Sequence, residues 1–302
     1  MDLFQPPWNF LALPPELSAP EKAQAWVLPI PYEGTTCYGS GTRNGPAAIL
    51  AASRQVELFD REFDCEPAAR FGIHTLDPLG LVYRSPEAMI ETIETAVIGV
   101  LTGRPGPKLL AVFGGEHSIS SGVVRALAGT LRPGELVAVQ IDAHADLRDV
   151  YEGSRHSHAC AARRILDVCP LMQIGIRNLS EEEERFRQTS QHVHTVFAED
   201  VPDGRYLGDL AQFVRGKVVY LTIDLDGLDP SIMPAVGTPE PDGLSWSQLL
   251  AVVRVIAREA ARLAAFDVVE LAPIPGLAAP DFLAAKLAYR VMSTTLLKGP
   301  AA

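Results

Sequence analysis

The sequence predicts an α/β fold in which helices cover a mostly parallel sheet. Two observations lead there. Seven short apolar runs rich in β-branched residues recur along the 302 residues, each ending in polar or glycine residues, as strands buried on both faces do. Between them lie helix-period stretches with recognisable start signals. This alternation builds βαβ units. With 47% apolar and 21% charged residues, the chain can bury one large core. No linker divides it, so residues 1–302 read as a single domain, with the proline-rich residues 1–23 as a surface extension.

The expected elements follow in chain order. The first strand is 24–30 (QAWVLPI). Residues 31–45 hold four glycines and no apolar period, which makes a loop. Gly45-Pro46 opens a helix over 46–58, and Ser85-Pro86-Glu87 supplies an N-cap, a first-turn proline and an early acid for another. Strands are expected at 108–113, 135–141 and 171–176. Ser180 and Glu183 form a capping box, and 193–197 and 217–223 are the next strands. Ser245 caps a helix at 246–260, apolar on one face with Arg254 and Arg258 on the other. The last strand is 263–269.

Three of these strands run into carboxylates and imidazoles: Gly-Gly-Glu-His-Ser at 114–118, Asp-Ala-His-Ala-Asp at 142–146 and Asp-Leu-Asp-Gly-Leu-Asp at 224–229. Taken singly, each has an ordinary explanation. His117 would be a structural histidine after a glycine turn, 142–146 a solvated loop, and Asp229-Pro230 a turn. Taken together they do not, because three separate strands would have to end this way by chance. Ligands bind at the carboxyl ends of strands in open parallel sheets. Several buried carboxylates also cost heavily without a cation. The candidate metal ligands are His117, Asp142, His144, Asp146, Asp224 and Asp226. Four carboxylates, two imidazoles and no thiolate disfavour structural zinc and suit manganese best. Two ions about 3.5–4 Å apart would share a carboxylate and a water or hydroxide.

These three segments resemble, in order, the signatures of the ureohydrolases, the family of arginases and agmatinases. The resemblance runs from about residue 26 to 290 and includes Gly-Thr-Arg-Asn-Gly-Pro-Ala-Ala-Ile at 41–49, Ser-His at 157–158, Val-Gly-Thr-Pro-Glu-Pro at 236–241 and Asp-Val-Val-Glu-Leu-Ala-Pro at 267–273. It implies a three-layer α/β/α domain with an eight-stranded, mostly parallel sheet, usually assembled as trimers or hexamers. It also implies two Mn2+ per subunit. His117, Asp142, Asp146 and Asp224 would hold one ion. Asp142, His144, Asp224 and Asp226 would hold the other. Glu270 matches the family glutamate that pairs with the guanidinium. His158 matches a histidine that relays protons or contacts substrate, and Thr238 lines the pocket. His156 has no such match, and Asp229 reads as a supporting acid. The chain departs from the common pattern at Glu116 (usually aspartate), Ala159 (often glycine) and Arg148, where arginases place an asparagine that holds the amino-acid carboxylate.

The implied reaction is hydrolysis of a guanidino group by a metal-bridging hydroxide. Glu270 would hold the guanidinium in line, Asp146 would carry the hydroxide proton to the leaving amine, and His158 would then help return a proton to or from solvent. Four ligand carboxylates, hydroxide and Glu270 total about −6 against about +4 from two ions, which suits a dication better than a zwitterion. Agmatine is the first expectation. N1-aminopropylagmatine follows, favoured by Ser-His-Ala and by Gly-Ile-His at 72–74, and then guanidinobutyrate, arginine and formimidoylglutamate. The single-zinc deacetylases of this fold are a different class, disfavoured because His117 and Asp146 are both retained. A non-catalytic relative would not need all six ligands.

Net charge is −11, which disfavours nucleic acid and anionic membranes and is compatible with a small cationic substrate. The four cysteines form no Cys-x-x-Cys pair and read as mostly packed thiols of a reducing cytosol. Without a signal-peptide pattern or a long apolar run, the expectation is a cytoplasmic protein.

Overall fold

The computed structural model describes residues 8–297. Its strands are β1 (Ala25–Ile30), β2 (Ile73–Thr75), β3 (Leu109–Gly114), β4 (Leu136–Ile141), β5 (Leu171–Ile176), β6 (Val193–Phe197), β7 (Val218–Asp224) and β8 (Arg262–Val269). All seven expected runs are strands, with ends shifted by a residue at most. The eighth, β2, is a three-residue edge strand, too short to show a period. The sheet order is β2-β1-β3-β8-β7-β4-β5-β6. Every pairing is parallel, so "mostly parallel" becomes wholly parallel.

Strand alternation divides the core in two. On β1, Ala25 and Val27 face one layer and Trp26, Leu28 and Ile30 the other; on β3, Leu109, Ala111 and Phe113 part from Leu110 and Val112 in the same way. Helices Gly45–Ser53, Tyr206–Val214, Trp246–Glu259 and Ala279–Leu297 cover the first face. Helices Pro86–Thr102, Ile119–Thr130 and Ala161–Leu166 cover the second. Three layers result, as the resemblance implied. Ser85, Ser180 and Ser245 cap their helices as expected, the last two in full capping boxes. The helix expected at 46–58 stops at Ser53, whose hydroxyl turns back to the Leu50 carbonyl and accepts the Leu11 N–H at 2.9 Å.

That last bond ties the N-terminal segment to the body of the domain. Residues 8–23 do not simply lie on the surface; residues 1–7 of the expected extension lie outside the described region. Phe10 and Leu13 are fully buried, and the Phe10 ring meets Phe113 at 5.3 Å. Prolines suggest an exposed strap, but Phe10, Leu11 and Leu13 carry enough apolar area to seal the core beside β3.

Candidate metal centre and active site

The strands that end in chemistry are neighbours. β3, β8, β7 and β4 lie side by side in the middle of the sheet, and Phe113 pairs with Val268, Asp224 with Val269, and Ile141 with Ile223. Their ends are therefore level. His117, Glu270, the Asp224–Asp226 pair and the Asp142–Asp146 segment emerge along one carboxyl edge. Chain packing here is tight. A Cβ on Gly115 would stand 1.8 Å from the Tyr32 carbonyl oxygen, and one on Gly227 would stand 2.8 Å from the Asp142 nitrogen. Glycine at 227 lets the Asp226 loop press on the start of the Asp142 segment, where Asp226 Oδ1 accepts the Ala143 N–H at 3.0 Å.

All six expected ligands converge. His117 Nδ1 lies 3.1 Å from Asp142 Oδ2, 3.2 Å from Asp146 Oδ2 and 3.2 Å from Asp224 Oδ2. His144 Nδ1 lies 2.9 Å from Asp226 Oδ2 and 3.8 Å from Asp142 Oδ1. His117, Asp142 and Asp224 make one compact group and Asp142, His144 and Asp226 another, so Asp142 belongs to both. An ion with octahedral bonds of about 2.1 Å has ligand–ligand edges of about 3.0 Å, close to these separations.

The polar groups beneath fix how His117 presents itself. Asp267 Oδ2 takes the Ser120 hydroxyl at 2.7 Å, which commits that proton. Thr222 Oγ1, 3.3 Å from Ser120 Oγ, therefore donates to it and is left to accept from His117 Nε2–H at 2.9 Å. The lone pair of Nδ1 then points at three carboxylate oxygens. Nδ1 is buried with no hydrogen bond of acceptable geometry to any of them. A divalent cation resolves that arrangement, and the residues fit one.

Acidities respond to the same crowding. Burial, with the Asp226 and Asp146 charges, pushes Asp142 up to about 7. Burial, with the Asp226 and Asp142 charges, holds Asp224 well above the carboxylate range. Burial opposes charge on His144, but the Asp226 contact outweighs it and lifts the imidazole to about 11. Burial likewise opposes charge on His117, yet Asp142, Asp146 and Asp224 raise it. Burial would raise Asp226, but His144 holds it below its usual value. The cluster seeks positive charge, and protons and metal ions compete to supply it.

Glu270 and Asp146 both sit in the left-handed backbone region, with φ of 65° and 51°, a conformation that costs a non-glycine residue of order 1–3 kcal/mol and concentrates at functional sites. Glu270 Oε1 accepts the His117 N–H at 2.6 Å. Its pKa is raised well above normal by burial and then by the Glu116 charge, so a cation beside it would favour the carboxylate form. His158, Thr238, Arg148 and Ala159 all line the same cavity of about 240 Å³. Arg148 lies over the Tyr151 ring at 5.1 Å, with Nε 3.9 Å from Glu183. Asp229 holds a turn through Ser231 and Gly243. His156 is half-buried and outside the cavity lining.

The arginase family model matches residues 23–294. The chain belongs to the arginase family. It is 39% identical over 270 residues to an N(1)-aminopropylagmatine ureohydrolase of Synechocystis sp., covering 88% of this chain and 87% of that one. It is 32% identical over 269 residues to an agmatinase of Pyrococcus horikoshii, covering 88% and 90%. Among solved structures, the agmatine ureohydrolase of Thermoplasma volcanium superposes with a TM-score of 0.81 at 29% identity, over 98% and 97% of the two chains. This arginase-family chain is thus an enzyme of the ureohydrolase kind.

Other residues support the family site without having been singled out from sequence. Gln140 Nε2 donates to Asp142 Oδ2 at 2.6 Å and is itself held by Gln173. Both are polar residues inside apolar strands, which was a usable signal. Arg177 donates to the carbonyls of Asp226 and Glu240, both at 2.7 Å, pinning the loop that carries a ligand. Thr35 gave no local signal, because its partner Glu116 is 81 residues away.

Proposed function

We propose that this chain hydrolyses the guanidino group of agmatine or of N1-aminopropylagmatine, releasing urea together with putrescine or spermidine. The convergence of six ligands beside Glu270 carries this reading. The sequence put agmatine first, and the relative at 39% identity, named for the aminopropyl compound, supports placing that substrate level with it.

His117, Asp142, Asp146 and Asp224 would hold one Mn2+, and Asp142, His144, Asp224 and Asp226 the other. When bound, such ions supply a water acidic enough to react near neutral pH. Glu270 binds the guanidinium by charge-assisted hydrogen bonds and fixes its plane. A cation there also relieves the burial of the Glu270 carboxylate. Asp146 accepts a proton from the attacking water and passes it to the leaving nitrogen, and His158, which lines the same cavity, carries the further proton of the replacement water to solvent. Thr238 bounds the pocket beside the guanidinium. A net charge of −11 favours a small cation over nucleic acid or membrane, and four unpaired thiols suit the cytoplasm. The resemblance supports a homo-oligomer, a trimer or hexamer.

Urea release after manganese loading tests the reading, with kcat/KM compared across agmatine, aminopropylagmatine, guanidinobutyrate and arginine. We expect one of the first two to exceed the others by at least about 10²-fold, since buried recognition groups left unpaired reject analogues strongly. No urea from any of the four would overturn the proposal.

A further inference from the structure

The loop after β1 holds a device outside the metal centre. Glu116 is completely buried, and its carboxylate receives four donors. Oε2 takes the Gly34 and Thr35 N–H groups, both at 2.6 Å, and Oε1 takes the Thr35 hydroxyl at 2.7 Å and the Ser118 hydroxyl at 2.5 Å. A carboxylate accepting on both oxygens offers no proton in return, so the single hydroxyl proton of Thr35 is committed to it. Thr35 Oγ1 can only accept from its remaining neighbours. These are the His158 backbone N–H at 2.9 Å and His158 Nδ1 at 3.3 Å. Nδ1 must then carry the ring proton, which leaves the lone pair on Nε2.

The other groups around the ring accommodate that tautomer. Ser157 Oγ lies 3.3 Å from Nδ1, and a free hydroxyl rotor accepts as readily as it donates. Cys37 Sγ lies 3.6 Å from Nε2, where a thiol donates to a lone pair. The Tyr151 ring meets His158 edge-on at 5.8 Å.

We propose that Glu116 and Thr35 are a positioning pair that locks His158 in the Nδ1–H tautomer and keeps Nε2 as its proton-accepting atom in the pocket. Neither residue touches substrate; both act through His158. The tautomer stands independently of the reaction, whereas its use in turnover rests on the function proposed above.

Thr35 is the residue to change, since Glu116 adjoins His117. Full-length protein labelled with 15N-histidine and loaded with diamagnetic Zn2+ gives two-bond 1H–15N correlations that distinguish the tautomers of neutral imidazole. The His158 signal is the one missing in His158→Gln. We expect Nδ1–H in the native protein, in Thr35→Ser and in Ser157→Ala, and its loss in Thr35→Val. With manganese and the best substrate, Thr35→Val should lower kcat about 10-fold at unchanged KM, and Thr35→Ser should restore it. Nε2–H in the native protein overturns the proposal, even if Thr35→Val does not fold. So does Nδ1–H retained in Thr35→Val, or lost in Ser157→Ala. Absence of urea with the Nδ1–H signal intact counts against the proposed reaction and leaves the tautomer assignment standing.

Discussion

The two sides of the pocket are held by different physics. On one side, four adjacent strand ends present His117, Glu270, Asp224, Asp226 and the 142–146 segment, at positions set by sheet register. On the other, Thr36, Cys37, Arg148, Tyr151, His158 and Thr238 line the cavity from loops. Those loops are tied down by long-range bonds such as Glu116 to Gly34 and Thr35. The strand side crowds buried charge that needs a cation. The loop side is more exposed and more nearly neutral. Metal binding and reaction chemistry should therefore fail when the strand side is altered, whereas loop-side residues other than His158 and its positioning pair should mainly tune substrate choice.

The largest effect expected is that of Asp226→Ala. It removes a charge from the group formed with Asp142 and His144, and a metal's share of transition-state stabilisation is several kcal/mol, or about 10³-fold in rate. Elemental analysis should show about one fewer manganese per chain, alongside that loss of urea release. Activity within a few-fold of native would mean that the strand side is not the chemical side. Glu270→Gln comes next, at about 10²-fold in kcat/KM, because a charge-assisted bond to substrate weakens to a neutral one. The amide oxygen can still accept the His117 N–H, so manganese content should stay near native. If manganese is lost instead, Glu270 supports the metal site rather than the substrate.

This contrast also governs what the sequence made legible. Strand-end residues could be read because a strand fixes the direction of its last side chains, so Asp142, Asp146, Asp224 and Asp226 announced one shared edge. His117 and Glu270 follow the same logic. The burial of Phe10 and Leu13 could not be read, since prolines mask how much apolar area the segment carries. Glu116 was legible only as a departure from the family's aspartate. Its work, gripping a loop 81–82 residues away in sequence, has no periodic trace. The Asp267–Ser120–Thr222 network was hidden for the same reason, although an aspartate inside β8 marks where to look.

Acidity offers a subtler test of the strand side. With Asp142 raised from 3.8 to about 7, its proton favours the folded state. That contribution is complete below about pH 4 and is lost as pH rises through 7. In metal-stripped protein, the Tm of native chain minus that of Asp142→Asn should therefore fall between pH 4 and 8, by about 3 °C or more. Manganese should reverse the trend for the native chain, since the ion binds the deprotonated ligands. A difference that stays flat across this range would mean that Asp142 is not crowded by like charge.

The smallest effect should come from the loop side, at Arg148. Its guanidinium lies over the Tyr151 ring, 3.9 Å from Glu183, with its side chain 34% exposed. At 3.9 Å and with the guanidinium partly in solvent, Glu183 offsets the Arg148 charge only in part. A remaining positive charge on the wall repels a cationic substrate tail, but solvent screens it. Arg148→Gln should therefore lower KM for agmatine by about 2- to 3-fold at low salt, leave kcat unchanged, and lose its effect near 0.5 M salt. If KM rises instead, Arg148 contributes contact through its stem and ring stacking rather than repulsion. The loop side would then select by shape, in contrast to the charge that rules the strand side.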